Sequence, residues 1–331
     1  MSKIKLFHAT TAVALVSALG FSSYANPALA EYPEKPITVI YPWSPGDPVG
    51  GVLRVLTEFV AEDLGQPIVI NNVQGAGGKK ATLVGAQADS DGYTLLNNWV
   101  APQIAGKLFD PDLAYSNEDF VPIAGIYALP FTITVAADHP SNSVSEFQAW
   151  AAEKGVVNFG VCPAQSVPRL VGEQFMRVAG VEYNPIPNAG GCMGDNMSGL
   201  LNGSLDVSVS IVPATTILEG QVKHLALMRD EPLDSQPDLK TAKEQGVDIG
   251  WGDVALGWGG IAAPAGTPEE VVTLLQGAFR EVAQSNEFLE ALGTSAHLIN
   301  YTDPANYADL WADSMELLKP HVDALKAAEA K

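Results

Sequence analysis

Strand-like apolar runs alternate with helical patterns along most of this chain, and this alternation constrains the fold more than any other feature. Residues 37–41 have the pattern of a strand, residues 53–64 place apolar side chains on one helical face, and residues 68–70 form the next strand. The order strand, helix, strand is typical of a βαβ unit. The sequence therefore predicts an α/β protein.

The alternation continues beyond this first unit. Further strands are predicted at residues 93–96, 131–135, 157–161, 205–212 and 224–228. Two helix starts carry capping-box patterns: Ser143 with Glu146, and Thr267-Pro268 with Glu270. Because the strands are continuous apolar runs separated by helices, we predict that most of them are parallel and buried.

The chain has 331 residues, which suggests about two domains. No low-complexity linker divides the sequence, so two domains must be joined by short crossings. We predict these crossings near residues 128–131 and 255–260.

The N-terminus has the plan of an export signal. Lys3 and Lys5 precede an apolar run at residues 9–19, and Ala28-Leu29-Ala30 precedes Glu31. We predict cleavage after Ala30 and therefore a signal peptide at residues 1–30. A retained membrane anchor is the alternative, but the apolar run is shorter than the roughly 20 residues that a span needs. No cysteine near the cleavage site offers a thiol for a lipid anchor, so a freely diffusing periplasmic protein is expected.

The charge balance excludes several partners. Lys and Arg total 18 against 38 Asp and Glu, which gives a formal net charge of −20. Loss of Lys3 and Lys5 with the signal makes the mature chain more acidic. Such a surface disfavours nucleic acid and anionic lipid.

Familiar enzyme motifs are absent from the sequence. There is no G-x-S-x-G, H-E-x-x-H, C-x-x-C, Walker loop, or G-x-G-x-x-G after a strand. The histidines of the mature chain have no metal-ligand spacing. We predict no catalytic residue, no metal site and no cofactor, although a site built from distant residues stays open.

Two loops rich in Gly and Pro follow predicted strands, where open α/β sheets form ligand crevices. The first spans residues 42–51, and the second is Gly75-Ala76-Gly77-Gly78, just ahead of Lys79. Missing side chains let a ligand approach the N–H groups at a helix start, and such a site favours a carboxylate. The alternative for either loop is a tight turn.

These loops also carry a family resemblance. Residues 32–37 (YPEKPI), the loop and helix at 42–54, the 75–78 loop and residues 91–96 (DGYTLL) resemble the periplasmic solute receptors of tripartite tricarboxylate transporters, the Bug receptors. The similarity extends through residues 120–122 and 263–268, and so spans essentially the whole mature chain.

The resemblance implies a two-domain periplasmic binding protein of the Venus-flytrap type, with the ligand cleft between its domains. With the crossings above, domain 1 comprises residues 31–130 and 257–331, and domain 2 comprises residues 131–256. It further implies a protein that closes on a small organic acid and delivers it to the permease subunits of a tripartite tricarboxylate transporter. A monomer is expected.

The family's pocket carries over to the loops at the ends of predicted strands. In domain 1 the matching residues are Trp43, Ser44, Pro45, Gly46, Asp47, Ala76, Gly77, Gly78, Asn98 and Trp99. In domain 2 they are Cys162, Gln165, Ser166, Asn188, Ala189 and Gly190. Asp47 stands where the family usually has Gly, and Asn188 where it usually has Tyr.

Three tryptophans of this region are candidates for stacking on a planar acid. Trp43 and Trp99 follow predicted strands, and Trp99 is expected in a polar loop; Trp258 is expected to be a hinge or core aromatic. The preferred ligand is an aliphatic di- or tricarboxylate, followed by an aromatic acid and then an amino acid.

The two cysteines fall in the domain 2 loops that the implied fold brings to one cleft. In an oxidising compartment we predict a Cys162–Cys192 disulfide, which closes a loop of about 30 residues.

The receptor function has two alternatives. One is a periplasmic enzyme that acts on a small carboxylate, and the other is a ligand sensor that feeds a membrane kinase. Transport and sensing use the same binding event and differ only in the partner.

Overall fold

The computed structural model describes residues 32–45, 48–187, 192–211, 220–233 and 236–329. Its strands are β1 (Ile37–Tyr41), β2 (Ile68–Asn72), β3 (Thr94–Trp99), β4 (Phe120–Leu129), β5 (Phe131–Ala136), β6 (Val157–Val161), β7 (Tyr183–Pro187), β8 (Val207–Ile211), β9 (Val222–Leu227), β10 (Gly257–Pro264) and β11 (Ile299–Thr302). The signal peptide predicted at residues 1–30 lies outside the described residues.

Helices connect the strands and cover the sheets. They are α1 (Pro48–Leu64), α2 (Lys79–Ala86), α3 (Gly106–Phe109), α4 (Val144–Lys154), α5 (Val167–Ala179), α6 (Cys192–Leu201), α7 (Glu269–Ala283), α8 (Asn286–Leu292) and α9 (Pro304–Glu329). Among the described residues, no helix combines the length and the apolar character that crossing a membrane requires.

Two mixed sheets form the centre of the unit at residues 33–331. The first sheet has the order β11-β4-β10-β3-β1-β2, and the second has the order β7-β6-β8-β5-β9. This mixed α/β architecture with two sheets is the predicted fold class. The two predicted crossings lie where β4 passes into β5 and where the chain enters β10, while the domain boundaries themselves stay a prediction.

The prediction that most strands are parallel is confirmed for β1, β2, β3, β6 and β8, each of which has a parallel neighbour, but both sheets also contain antiparallel pairs. In the first sheet β1 is parallel to β2 and β3, but β10 is antiparallel to both β3 and β4. In the second sheet β6 is parallel to β7 and β8, but β5 is antiparallel to β8 and β9. β5 enters the second sheet, and β10 enters the first, through a crossing rather than through a helix of the same sheet. Both strands therefore run antiparallel to their neighbours.

The first predicted capping box is confirmed in part, since the Glu146 carboxylate accepts the N–H of Asn142 at 2.6 Å and not that of Ser143, and the second is wrong. Ser143 Oγ accepts the Glu146 N–H at 3.2 Å and begins α4. Helix α7 instead begins at Glu269 after Pro268, without a side-chain cap. The hydroxyl of Thr267 donates to the carbonyl of Pro264 at 2.7 Å, so Thr267 closes a turn and does not cap the helix.

Trp258 belongs to the core, as predicted. Its side chain is 2% exposed, and its indole N–H donates to Ser314 Oγ of α9 at 3.0 Å. The contact joins β10 to α9, which also packs on β4.

Candidate ligand-binding site

The carboxyl ends of β1, β2 and β3 bring three predicted loops to one edge of the first sheet. Asn72, the last residue of β2, donates its side-chain amide to the carbonyl of Trp43 at 2.9 Å. The N–H of Val73 donates to the carbonyl of Tyr41 at 2.8 Å. These bonds fix the first loop against the end of β2. Asn72 positions the first loop but was not among the predicted pocket residues. Its place at the end of a strand could have indicated this role in the sequence.

The Gly-rich loop packs tightly at the same edge. Gly78 is buried with a φ of 91°, and a Cβ there would lie 3.0 Å from Pro102 Cγ and 3.3 Å from Pro42 Cβ. Only glycine combines this backbone conformation with so little space. Ala76 and Gly77 remain exposed. Gly78 therefore lets the loops after β1, β2 and β3 meet.

Helix α2 begins directly after this loop, and the N–H groups of Gly78 and Lys79 donate to the carbonyls of Gly75 and Ala76. No side chain caps the helix at Gly78, and its first turn contains no acidic residue. Lys79 and Lys80 open the helix instead. An uncapped helix start with adjacent cations is suited to a carboxylate.

The placement of Trp99 in a polar loop is wrong, because Trp99 is the last residue of β3 and is only 4% exposed. Its indole N–H donates to Asn97 Oδ1 at 2.6 Å. Its ring stacks on Tyr127 of β4, with ring centroids 5.3 Å apart and planes 6° apart. Asn97 belongs to the stretch 97–99 that was predicted to line the pocket, whereas Tyr127 was not predicted because β4 was not recognised in the sequence.

Trp43 is half-buried and meets Trp99 edge to face, with 6.3 Å between the ring centroids and 66° between the planes. The three aromatic rings therefore run from the first loop into the sheet in the order Trp43, Trp99, Tyr127. Ser44 and Pro45 continue the loop as exposed residues.

Asn98 has its side-chain groups engaged within the protein. Its amide donates to Gln103 Oε1 at 2.8 Å, and Tyr307 Oη donates to Asn98 Oδ1 at 3.1 Å. Gln103 in turn donates to Asn117 Oδ1 at 3.2 Å. Asn98 thus anchors the end of β3 to α9 through Tyr307.

The second sheet contributes the loop between β6 and α5. Cys162 follows β6, is 2% exposed and is disulfide-bonded. The side-chain amide of Asn196, in α6, donates to the carbonyl of Gly160 at 3.2 Å and lies 3.9 Å from Cys162 Sγ. The start of α6 is thereby held near this loop. The side chain of Cys192 lies outside the described residues, so its pairing with Cys162 stays a prediction.

Gln165 and Ser166 complete this loop as half-buried residues. Ser166 precedes α5, and its hydroxyl donates to the carbonyl of Pro163 at 2.7 Å, so the helix start has no side-chain cap. The first turn of α5 contains no acidic residue either. Each sheet therefore presents one uncapped helix start beside predicted pocket residues.

Several predicted pocket residues lie outside the described residues: Gly46, Asp47, Asn188, Ala189 and Gly190. Within the described residues, Trp43 and Trp99 make no hydrogen bond or ring contact with Gln165 or Ser166. The two groups of loops lie on different sheets.

The described residues contain no cluster of three or more His, Cys, Asp or Glu side chains that would hold a metal ion. His224 of β9 is half-buried, and its Nδ1 lies 2.9 Å from Thr134 Oγ1. Burial lowers the pKa of His224 to about 4, which keeps the imidazole neutral near pH 7.

Residues 52–326 match the family model of the tripartite tricarboxylate transporter receptors, TctC. The chain belongs to this family. The match confirms the resemblance seen in the sequence, and receptors of this family are periplasmic solute-binding proteins.

Relatives and solved structures agree with this assignment. Protein BugT of Bordetella pertussis is 31% identical over 274 residues, which cover 81% of this chain and 82% of BugT. The structure of a TctC solute-binding protein from Polaromonas is 25% identical, with a TM-score of 0.75, covering 89% of this chain and all of that one. MatC from Rhodopseudomonas palustris, solved with bound malate, is 28% identical, with a TM-score of 0.70, covering 88% of this chain and all of MatC.

Proposed function

We propose that this TctC-family receptor captures a small aliphatic dicarboxylate between its two sheets and delivers it to the permease subunits of a tripartite tricarboxylate transporter. The observation that carries the proposal is the first-sheet edge, where Gly78 leads into an uncapped helix start that two lysines open. Backbone N–H groups placed in this way bind carboxylates without a dedicated basic pocket. The similar helix start at Ser166 supplies the opposite wall.

The aromatic residues favour an aliphatic ligand over an aromatic one. One face of the Trp99 ring stacks on Tyr127, and the indole N–H of Trp99 donates to Asn97. The ring of Trp43 meets the ring of Trp99 at an angle of 66°. A flat acid sandwiched between Trp43 and Trp99 would need both to turn. An aliphatic chain requires only contact with the exposed part of Trp43. MatC, with its bound malate, supports the same class.

The family and the N-terminus support the proposed location and partner. The family's receptors are periplasmic, and residues 1–30 have the plan of a cleaved export signal. A monomeric, non-catalytic protein fits a role in which the closed form docks on a membrane permease.

Thermal unfolding with a ligand panel tests this function. We would purify the exported protein, remove carried-over ligand by unfolding and refolding, and add malate, adipate, benzoate, glutamate or a neutral sugar. A ligand at 100 times its Kd adds about 2.7 kcal/mol to the free energy of unfolding. We expect a rise in Tm with malate or adipate and none with the sugar.

Three results would contradict the proposal in whole or in part. If no carboxylate raises Tm while one of them is converted to product, the protein is an enzyme. If benzoate alone raises Tm, the receptor function stands but the aliphatic class is wrong. Capture of a membrane kinase rather than permease subunits by the ligand-bound form would favour a sensor.

A further inference from the structure

Two helices hold the segment at residues 249–251, which lies just before β10. The side-chain amide of Gln174, in α5, donates to the carbonyl of Ile249 at 3.1 Å. The indole N–H of Trp251 donates to Nε2 of His321, in α9, at 3.3 Å. The segment is therefore tethered to α5 on one side and to α9 on the other.

These two helices belong to different sheets. Helix α5 packs on β5, β6 and β8 of the second sheet, whereas α9 packs on β4 of the first sheet. The two helices also contact each other. A movement of one sheet relative to the other therefore strains at least one of the two hydrogen bonds that hold residues 249–251.

The hydrogen bond between Trp251 and His321 depends on the protonation state of the imidazole. An indole N–H only donates, so Nε2 of His321 must be the unprotonated nitrogen of the ring. An imidazolium carries hydrogen on both nitrogens and cannot accept this bond. The side chain of Trp251 is only 3% exposed, so water is not at hand to replace the lost acceptor.

The packing around His321 is specific and still leaves the ring within reach of solvent. The rings of Trp251 and His321 meet edge to face, with 4.7 Å between the centroids and 65° between the planes. A cavity of about 380 Å³ lies between α5 and the C-terminal half of α9, and the half-buried His321 lines it. A proton can therefore reach the imidazole without unfolding of the helices.

The charged groups around this cavity favour the neutral imidazole. Of the described titratable groups, Glu173, Arg177 and Tyr183 line the cavity together with His321. The Glu173 carboxylate pairs with Arg169 at 2.9 Å. Burial and then the Arg177 guanidinium lower the pKa of His321 below its ordinary value of 6.5.

Other carboxylates near this contact in the sequence are paired elsewhere. In the segment of Trp251, Asp248 lies 3.6 Å from Lys243. On α9, Asp323 pairs with Lys319 at 2.9 Å. Neither pair supplies a partner to a protonated His321, so protonation breaks one hydrogen bond and forms no ion pair with these groups.

We propose that His321 is a pH-sensitive tether of the receptor: the neutral imidazole holds the segment before β10, and protonation releases it. This inference rests on the proposed receptor function and adds regulation to it. A released segment has more conformational freedom, which the ligand-bound form must restrict again, so proton uptake and ligand binding oppose each other. As His321 takes up its proton below pH 6.5, the Kd for malate should rise about three- to tenfold, the effect of one hydrogen bond.

The first test follows the tether itself and requires no ligand. Nuclear magnetic resonance of the exported, ¹⁵N-labelled protein records the tryptophan indole N–H signals from about pH 8 to about pH 5. Trp251→Phe identifies the signal of Trp251 by its loss. We expect this signal to shift with pH in the unchanged protein. It should stay in place in His321→Gln, because the glutamine amide oxygen accepts a hydrogen bond but does not titrate.

The second test measures malate affinity by calorimetry over the same pH range in the unchanged protein and in His321→Gln. The matched control His297→Gln removes a histidine elsewhere, whose Nδ1 lies 2.6 Å from the carbonyl oxygen of Thr294. We expect the unchanged protein and His297→Gln to lose about three- to tenfold more affinity in acid than His321→Gln. All three proteins meet the same malate species at each pH, so ionisation of malate cancels in the comparison.

Two results would overturn the proposal. The first is a Trp251 indole signal that does not shift with pH in the unchanged protein. The second is an equal loss of malate affinity in acid in His321→Gln and in the unchanged protein. Absence of malate binding at about pH 8 in all three proteins is a failure of the receptor function instead, and the indole signal then still decides whether the tether titrates.

Discussion

The indole of Trp99 and the phenol ring of Tyr127 stack across Gly259, with 5.3 Å between the ring centroids. Trp99 on β3 and Tyr127 on β4 both pair with Gly259 on β10, which lies between them. Side chains on strands two apart stand roughly 10 Å from each other in a regular sheet, since neighbouring strands are about 4.8 Å apart. The rings meet only because Gly259 has no side chain.

Gly259→Ala should therefore destabilise the protein. The added Cβ would lie 2.8 Å from Cδ2 and Cε3 of Trp99, so the ring must move away from Tyr127. We expect a loss of about 1–3 kcal/mol in the free energy of unfolding, as for other overpacked sites. Urea denaturation measures the loss, and near-UV circular dichroism reports the change in the aromatic stack.

Gly277→Ala is the matched control for that substitution. Gly277 lies in α7, and a Cβ there meets nothing within 4 Å. This variant should gain about 0.5–1 kcal/mol from helix propensity. If Gly259→Ala and Gly277→Ala change the free energy of unfolding in the same direction, the close approach of the Trp99 and Tyr127 rings is not the reason why position 259 requires glycine.

Trp43 and Trp99 should respond differently to truncation. Trp43→Ala removes a half-buried ring at the candidate site, and we expect malate affinity to fall about tenfold with a small change in stability. Trp99→Ala opens a cavity in the sheet and should cost about 3–5 kcal/mol. Calorimetry with malate and urea denaturation separate the two effects. Unchanged malate affinity in Trp43→Ala would remove Trp43 from the site.

The sequence predicted the central parallel strands well. The bounds of β1 and β6 are those expected, because each is a short run of mostly apolar residues that ends in a loop before a helix. Strand β10 was missed, and its first residues were assigned to a crossing. Gly257, Gly259 and Gly260 resemble a loop in the sequence, but in the structure their missing side chains make room for rings and backbone of other strands.

The site was predicted in part, for a similar reason. The loops after β1 and β2 were found because Gly and Pro mark them. Asn97 and Asn98 suggested a polar loop, yet both are buried in β3. Asn97 donates to the carbonyl of Gly260, 163 residues away, and Asn98 bonds to Gln103. Such partners decide whether an asparagine can be buried, and local sequence does not contain them.

Burial of His224 should make stability depend on pH. Because its pKa is lowered to about 4 in the folded state from an ordinary value near 6.5, the unfolded chain takes up the proton first as pH falls. The stabilisation is present above pH 6.5 and is lost as pH drops to about 4. It amounts to about 3 kcal/mol. His224→Gln should flatten the curve of unfolding free energy against pH in this window.

Thr134→Val is the control for this pH effect. It removes the hydroxyl that lies 2.9 Å from His224 Nδ1 but leaves the burial of the imidazole unchanged. Since burial is the cause of the lowered pKa, this variant should be less stable at every pH yet keep the slope between pH 6.5 and 4. A flat curve in Thr134→Val would assign the pKa shift to the hydrogen bond instead.

The predicted disulfide should stabilise the second sheet and its ligand loop. Cys162 is disulfide-bonded and buried beside Asn196 of α6. A bond to Cys192 would close a loop of about 30 residues, so Cys162→Ser should lower the free energy of unfolding by about 3–4 kcal/mol. A thiol reductant should lower the Tm of the unchanged protein and leave that of Cys162→Ser unaltered. If the unchanged protein carries two titratable thiols when freshly exported, or if Cys192→Ser is as stable as the unchanged protein, the pairing is wrong.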